Sequence, residues 1–403
     1  MIKGLVKLTF WVGIFWLIGK SFQLPWVQKK VSEGVESGIT HISQTEVAQE
    51  YQQKFSSYWE IIEDMDLPIF RQQTPPTIVL LEDKYPIPTD NPPPPPELKE
   101  ETIISVAPAE LMETNQIIGI YMSRYDITNN ASEDTIRKKV RHYRSQGINT
   151  IIHGVAGNGC TMYDSQVMQK KVGLQRCPNL FQEKWLHWLI DEAHKQGMEV
   201  HAYFEKGIKI DQNSPIFKLA QSKNWIVEGI DRTYDGIDHY ILDVGNPEVA
   251  NLFIDMTTEF VQKYRNIDAV QWDDYLGYHS SLPSEENRTP MLTNFVQRMI
   301  TSIKQANPNV SFDICHHNPY WAKKEFAADF DAWGVDRVFI QAYNDDNFRE
   351  ELAYAKKYNG IAITDKQLTR LKEVINNDKV EGVLLFSLAG NPQNLAVKWR
   401  EYL

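Results

Sequence analysis

Basic charge is scarce in this chain. Lys and Arg number 42 against 53 Asp and Glu, and the net charge is −11. That balance excludes nucleic acid, or an anionic membrane surface, as the natural partner. Cysteine is scarcer still. Cys160, Cys177 and Cys315 are the only three. They have no metal-type spacing and are too few for a disulfide framework. Cys160 and Cys177 can pair in an oxidising compartment, whereas Cys315 falls inside an apolar strand and reads as a small core residue. No repeat of solenoid type runs through the sequence.

The chain opens with an apolar run from Leu8 to Gly19, preceded by Lys3 and Lys7 and closed by Lys20. Its length suits a signal h-region better than a full membrane span, which needs ~20 residues. No small-x-small cleavage site follows it, and no cysteine follows to take a lipid. Residues 1–26 therefore read as an uncleaved signal-anchor, with a cleaved signal peptide as the alternative. Either way the rest of the chain belongs to the cell envelope, as a membrane-anchored extracytoplasmic barrel or a protein secreted to the periplasm. Over 27–73, Val47, Tyr51, Phe55, Trp59 and Ile62 recur at helical spacing and predict an amphipathic stalk. Residues 74–114 form a Pro-rich linker. Its run Pro92 to Pro96 favours an extended spacer of ~3 Å per residue.

From residue 115 to 403 strands and helices alternate. Candidate strands are 117–123, 148–155, 198–205, 267–274, 310–317, 336–343, 359–364 and 382–388. Candidate helices are 132–146, 181–196, 247–265, 290–306, 347–357 and 366–377. Asn246-Pro247-Glu248 carries a complete helix start: a capping side chain, Pro at the first position and an acid in the first turn. Eight strands interleaved with helices predict an α/β fold, a (β/α)8 TIM barrel. An open doubly wound sheet would show a Gly-rich phosphate loop after its first strand, where Tyr121-Met122-Ser123-Arg124 stands instead.

In Ile267-Asp268-Ala269-Val270-Gln271-Trp272-Asp273-Asp274-Tyr275 an apolar strand ends in two adjacent carboxylates. Burying such a pair inside a strand is costly, but a barrel opens to solvent at its strand exits. Alternation puts Gln271 and Asp273 on the lumen face and Val270 and Trp272 against the helices, with Asp274 on the rim. The same reading aligns His201, Tyr203 and Glu205 on one strand, and Ser311, Asp313, Cys315 and His317 on another. Gln341 and Tyr343 share a face, as do Asn149 and His153.

These residues carry a resemblance. Asp191 to Phe204, Leu242-Asp243-Val244-Gly245-Asn246-Pro247-Glu248-Val249 and Gln271-Trp272-Asp273-Asp274-Tyr275 are similar to segments of a bacterial glycosyl-hydrolase-like family, the tenth of that series. Gly147 to Thr150 and Ile340 to Tyr343 fit as well, and the similarity runs from about residue 116 to 390. The resemblance implies a barrel hydrolase acting on cell-wall glycan, some members cleaving peptidoglycan strands that have lost their peptides, with the paired Asp at strand four central. Three departures stand out. Glu205-Lys206-Gly207 replaces Asn-Pro-Tyr-Arg, His316-His317-Asn318-Pro319-Tyr320-Trp321 replaces Ser-Pro-x-Gly-x-Trp, and Val244 replaces Pro.

Glycoside hydrolysis needs two carboxyls. Asp273, Asp274 and Glu205 are the candidates for catalysis, with Asp345, Asp346, Asp365, Glu285 and Glu286 as rivals for the second role. An ion pair with Lys206 or Lys209 would occupy Glu205 instead. His201, Tyr203, Gln271, Tyr275, His317, Trp321, Gln341 and Tyr343 are candidates for binding a polysaccharide. Trp272, Tyr278 and Tyr320 join the aromatics that either stack on sugars or fill the core. No cofactor and no metal is expected. Two alternatives stand beside the hydrolase: a non-catalytic glycan-binding barrel, and a metal-dependent deacetylase gathering His201, Asp273, Asp274 and His317.

Overall fold

The computed structural model describes residues 116–122, 128–178, 181–231, 238–283 and 286–402. The expected signal-anchor, stalk and Pro-rich linker lie outside these residues, as does Glu285. No helix among the described residues is long and apolar enough to cross a membrane.

The strands, in chain order, are β1 (Ile117–Met122), β2 (Thr150–Gly157), β3 (Cys160–Thr161), β4 (Glu199–Phe204), β5 (Lys209–Ile210) and β6 (Tyr240–Ile241). They continue with β7 (Ala269–Asp273), β8 (Ser311–His316), β9 (Arg337–Gln341), β10 (Gly360–Thr364) and β11 (Gly382–Phe386). Eight of them run parallel in the order β1-β2-β4-β7-β8-β9-β10-β11, and β1 pairs with both β2 and β11. The sheet therefore closes on itself as the (β/α)8 barrel that the alternation of elements predicts. Each barrel strand falls within two residues of its expected limits, because apolar alternation and burial coincide there. The β3 strand folds back on β2, and β5 pairs with β6 in a small sheet of its own. Neither was foreseen, since two-residue strands leave no periodicity to read.

The longer helices are α1 (Glu133–Ser145), α2 (Gln166–Val172), α3 (Trp185–Lys195), α4 (Phe217–Ser222) and α5 (Pro247–Lys263). Then come α6 (Thr289–Ala306), α7 (Pro319–Phe326), α8 (Phe348–Tyr358), α9 (Leu371–Ile375) and α10 (Pro392–Tyr402). The expected cap at α5 is present: the Asn246 side chain accepts from Glu248 N–H at 2.9 Å. The unpredicted α7 starts the same way. Asn318 caps it by accepting from Trp321 N–H at 3.2 Å, with Pro319 next. That Asn-Pro start was legible in the sequence and was passed over.

Side-chain alternation divides the barrel into two apolar regions. Tyr121, Ile152, Cys315, Phe339, Ala362 and Leu384 fill the lumen, with Ile117, Tyr203 and Tyr343 packed on them. Gly382 makes room there; a Cβ would stand 2.7 Å from the Phe339 ring. The outward residues pack on the helices, as Trp272 does by stacking on Phe204 at 4.8 Å. Strand β2 corrects the expected stripe. Ile152 faces the lumen, while His153 points outward, 4.9 Å from the Trp185 ring and hydrogen-bonded to Thr128 Oγ1 at 2.9 Å. Asn149 holds the start of β1, taking Ile118 N–H at 2.7 Å and donating to Gln116 C=O at 2.6 Å.

Cys160 and Cys177 form a disulfide across 17 residues, and Cys315 is a buried free thiol. The cross-link closes the excursion that carries β3 and α2. Replacing both half-cystines with Ser should cost ~3 kcal/mol, as loop closure over such a length predicts. Denaturant melts with and without reductant check this: the wild type should lose stability on reduction and the double variant should not.

Candidate active site

The lower lumen, at the N-terminal strand ends, holds an ionic cluster. His201 is fully buried. Its Nε2 lies 2.8 Å from Glu199 Oε2, and its Nδ1 lies 3.1 Å from Gln271 Oε1. Arg337 bonds both Asp313 oxygens through its Nε, at 3.0 Å each, and reaches Glu199 at 3.1 Å. Above them Gln271 donates to the Tyr121 hydroxyl at 2.6 Å. His201 and Gln271, expected as sugar contacts, are therefore internal supports. Neither shows surface at the barrel mouth.

Asp273 sits at the last position of β7, 7% exposed. The Tyr203 hydroxyl donates to its Oδ2, and the Tyr275 backbone N–H donates to its Oδ1 at 3.0 Å. Lumen orientation follows from alternation, since Trp272 before it packs outward. Asp274 departs from its expected place on the rim. It is 2% exposed, and its Oδ1 accepts from Gln341 Nε2 at 3.1 Å. The chain turns immediately after Asp273, with Leu276 N–H bonded to Asp273 C=O at 2.9 Å. That turn brings both carboxyls inward, which a period-two reading extended past the strand cannot anticipate.

Burial pushes the Asp273 carboxyl well above the usual carboxylate range, and the neighbouring Asp274 adds to the rise. The Tyr203 and Tyr275 hydrogen bonds and the Lys209 charge oppose it without cancelling it. Burial and the Asp273 charge in turn hold the Tyr203 phenol protonated. Asp273 therefore retains a proton at pH values where an exposed aspartate has lost it.

Glu205 follows β4. Its side chain lies over Gly154 and Gly157 of β2, and any Cβ on Gly154 would overlap its carboxyl. Its charge reaches the Tyr203 phenol. Lys206 and Lys209, the expected partners, bond elsewhere: Lys206 to Asp211 at 2.5 Å and Lys209 to Asp231 at 3.0 Å. Among the rivals, Asp345 and Asp346 are exposed in the turn before α8, and Glu286 is exposed as well. Asp365 accepts from Leu388 N–H at 3.3 Å.

His317 Nε2 stands 4.0 Å from Asp274 Oδ2, and its ring stacks on Phe326. The Tyr275 ring is half-buried between His239 and Lys209. Trp321, on α7, packs on Tyr320 with the Lys324 ammonium 5.0 Å from its ring. Trp272 and Tyr278 are core. Tyr278 is pinned by Val244 N–H at 2.8 Å and Asp243 at 3.1 Å. The sequence reading missed Phe386, 36% exposed at the end of β11. Its ring lies 5.9 Å from Tyr343, nearly parallel, and edge-on to Tyr121. Alternation from Gly382 through Leu384 was the available signal.

A second carboxyl was also missed. Glu351 of α8 is buried and accepts from Asn318 Nδ2 at 2.9 Å, which ties the α7 cap to α8. Burial pushes its pKa up to about 8. The folded state thus keeps a proton that the unfolded chain loses near 4.5. Stability from this group is complete at pH 4 and declines as pH rises through about 8. Glu351→Gln should raise the melting temperature at pH 8 by several degrees and leave it unchanged at pH 4. A pH series of thermal melts on both proteins tests this.

Among the described residues no group of three or more His, Cys, Asp or Glu has the geometry to hold a metal ion. His201, the deacetylase reading's first ligand, is committed to the lower lumen.

The closed barrel thus carries a buried carboxyl pair at a C-terminal strand end, framed by tyrosines. The family described as glycosyl hydrolase-like 10 matches residues 116–291, in line with the resemblance read from the sequence. The glycosyl hydrolase DigH of Escherichia coli K12 is 26% identical over 263 residues, 52% of this chain and 56% of that protein. This chain thus spans about half the length of the curated relatives it matches. Solved structures with a similar barrel are more distant. A GH20 exo-β-N-acetylglucosaminidase from Vibrio harveyi aligns at 8% identity, TM-score 0.48, over 71% of this chain and 54% of that one. A maltogenic α-amylase, AmyB of Thermotoga neapolitana, aligns at 12% identity, TM-score 0.45, over 70% and 69%.

Proposed function

We propose that this protein hydrolyses glycosidic bonds in cell-wall glycan, with peptidoglycan strands as its substrate. The observation that carries the reading is the buried Asp273–Asp274 pair at the exit of β7, with Asp273 raised in pKa and the two held by Tyr203 and Gln341. The family match and the name of its relative DigH support a carbohydrate substrate. In this reading Asp273 donates its proton to the glycosidic oxygen as the bond to the anomeric carbon breaks. Asp274, ionised, stabilises the positive charge that develops on the sugar. Water supplies the hydroxyl that completes the product and returns the proton. Phe386 and Tyr343 offer ring faces to the apolar side of a pyranose. The barrel acts outside the cytoplasmic membrane, anchored by the N-terminal segment or secreted to the periplasm.

The test is digestion of purified peptidoglycan, intact and stripped of its peptides, with products identified by mass. Release of glycan fragments from stripped strands supports the reading. Binding to the strands without release would make this a glycan-binding barrel, and deacetylated strands of unchanged length would place it with the deacetylases.

A further inference from the structure

Lys209 had no role in the sequence reading beyond a partner for Glu205. In the fold it is a fully buried cation beside the site. It lies on β5, in the long excursion between β4 and β7, and is fully buried. Its ammonium stands 3.0 Å from Asp231, also fully buried. It lies 4.9 Å from the centre of the Tyr275 ring and 5.6 Å from that of Phe326. Both distances are within cation–π reach. Tyr275 is the residue whose backbone N–H holds Asp273 Oδ1. The excursion is anchored to the same turn: Ile208 N–H bonds Tyr275 C=O at 3.1 Å, and Gly207 packs so closely on that carbonyl that no Cβ fits.

We propose that Lys209 is a positioning residue that, from beneath the Tyr275 turn, decides how the Asp273–Asp274 pair shares its proton. A buried cation is costly unless it is compensated. Asp231 lies against this one, with two aromatic faces beside it. Lys209 favours the ionised state of the carboxyl pair, and Asp231 limits how strongly. One proton then stays on the pair instead of two or none, as an acid and an ionised carboxylate side by side require.

Among the described residues, titratable groups lie around Lys209 on several elements. Asp231 and His239 come from the strands and loop paired with its hairpin, and Lys206 and Asp211 from its own loop. Asp273, Asp274 and His279 come from the exit of β7, His316 and His317 from the end of β8, and Glu325 from α7 beside His279. Its charge lowers the pKa of all four histidines, adding to burial. Lowered in this way, these imidazoles are neutral near pH 7.

The proposal rests on Asp273 being the proton-bearing carboxyl, so its test needs no substrate. Titration of the buried carboxyl in purified full-length protein is followed by difference infrared spectroscopy, with the band assigned by its loss in Asp273→Asn. Lys209→Met with Asp231→Asn removes both buried charges and should raise the midpoint by about one pH unit. Asp231→Asn alone removes the anion beside the cation and should lower it by a similar amount. Lys209→Arg should keep it within a few tenths. A midpoint unmoved in the folded double variant overturns the proposal. If the double variant does not fold, an unmoved Asp231→Asn midpoint overturns it. A midpoint that moves as expected, in a protein that cleaves no glycan, would refute the hydrolase reading and leave the role of Lys209 intact.

Discussion

Asp273→Asn is expected to reduce glycan cleavage by about 10²-fold or more while the protein stays folded. The amide keeps the shape of the side chain and accepts hydrogen bonds, but has no proton to give to a leaving oxygen. Stability should hold or rise. The folded state keeps the Asp273 proton above the pH at which the unfolded chain loses it, so the wild-type group costs stability as pH climbs from the ordinary carboxylate range through its raised value. Asparagine, neutral throughout, removes that cost. The wild type and variant should therefore melt alike at pH 4, with the variant more stable at pH 8. Alternation alone assigned Asp274 a lesser role, but its burial and its bond to Gln341 revise that expectation. Asp274→Asn removes the like charge beside Asp273, lowers the pKa of Asp273 and should move the alkaline limb of activity to lower pH, along with a loss of rate. Cleavage assays across pH, at matched thermal stability, decide between the two. Full activity in Asp273→Asn with loss in Asp274→Asn would exchange their roles. Unchanged activity in both would refute the mechanism.

Trp272→Ala should destabilise the barrel by roughly 3–5 kcal/mol, the range for removing a large buried aromatic from a core. The ring is fully buried between Phe204, stacked at 4.8 Å, and Phe253, edge-on at 6.3 Å. It is also flanked in sequence by Gln271 and Asp273, so a collapse around the cavity would tilt the carboxyl that follows. Trp272→Phe should cost far less. It fills most of the space, and among the described residues the indole N–H makes no hydrogen bond that would be lost. Chemical denaturation of both variants gives the comparison. Similar losses in the two would mean that the site depends on the indole itself and not on filled volume.

Much of this protein follows from its sequence. Strands with a polar and an apolar side, separated by helical segments, can bury both faces only in a closed or doubly covered parallel sheet, and no phosphate loop pointed to the open form. The Asn246-Pro247 start of α5, the lumen position of Asp273 and the outward packing of Trp272 all follow from local rules of capping and alternation. The resemblance carried by residues 242–249 and 271–275 pointed to the family that the comparison returned.

Tertiary structure decided the rest, because the deciding contacts join residues far apart in the chain. Alternation gave His201 and Tyr203 the same face. Only the three-dimensional fold places His201 among Glu199, Asp313 and Arg337 and puts the hydroxyl of Tyr203 on Asp273. Beyond a strand end no periodicity constrains direction, so the inward turn of Asp274 and the setting of Glu205 over two glycines of β2 were invisible. Lys209 shows the limit most clearly. The sequence offered it only as an ion-pair partner for Glu205, yet an excursion folded over the β7 exit buries it against Asp231 and Tyr275. Sequence determined which residues have the chemistry. Long-range packing determined which of them meet, because burial and charge coupling depend on distance in space and not along the chain.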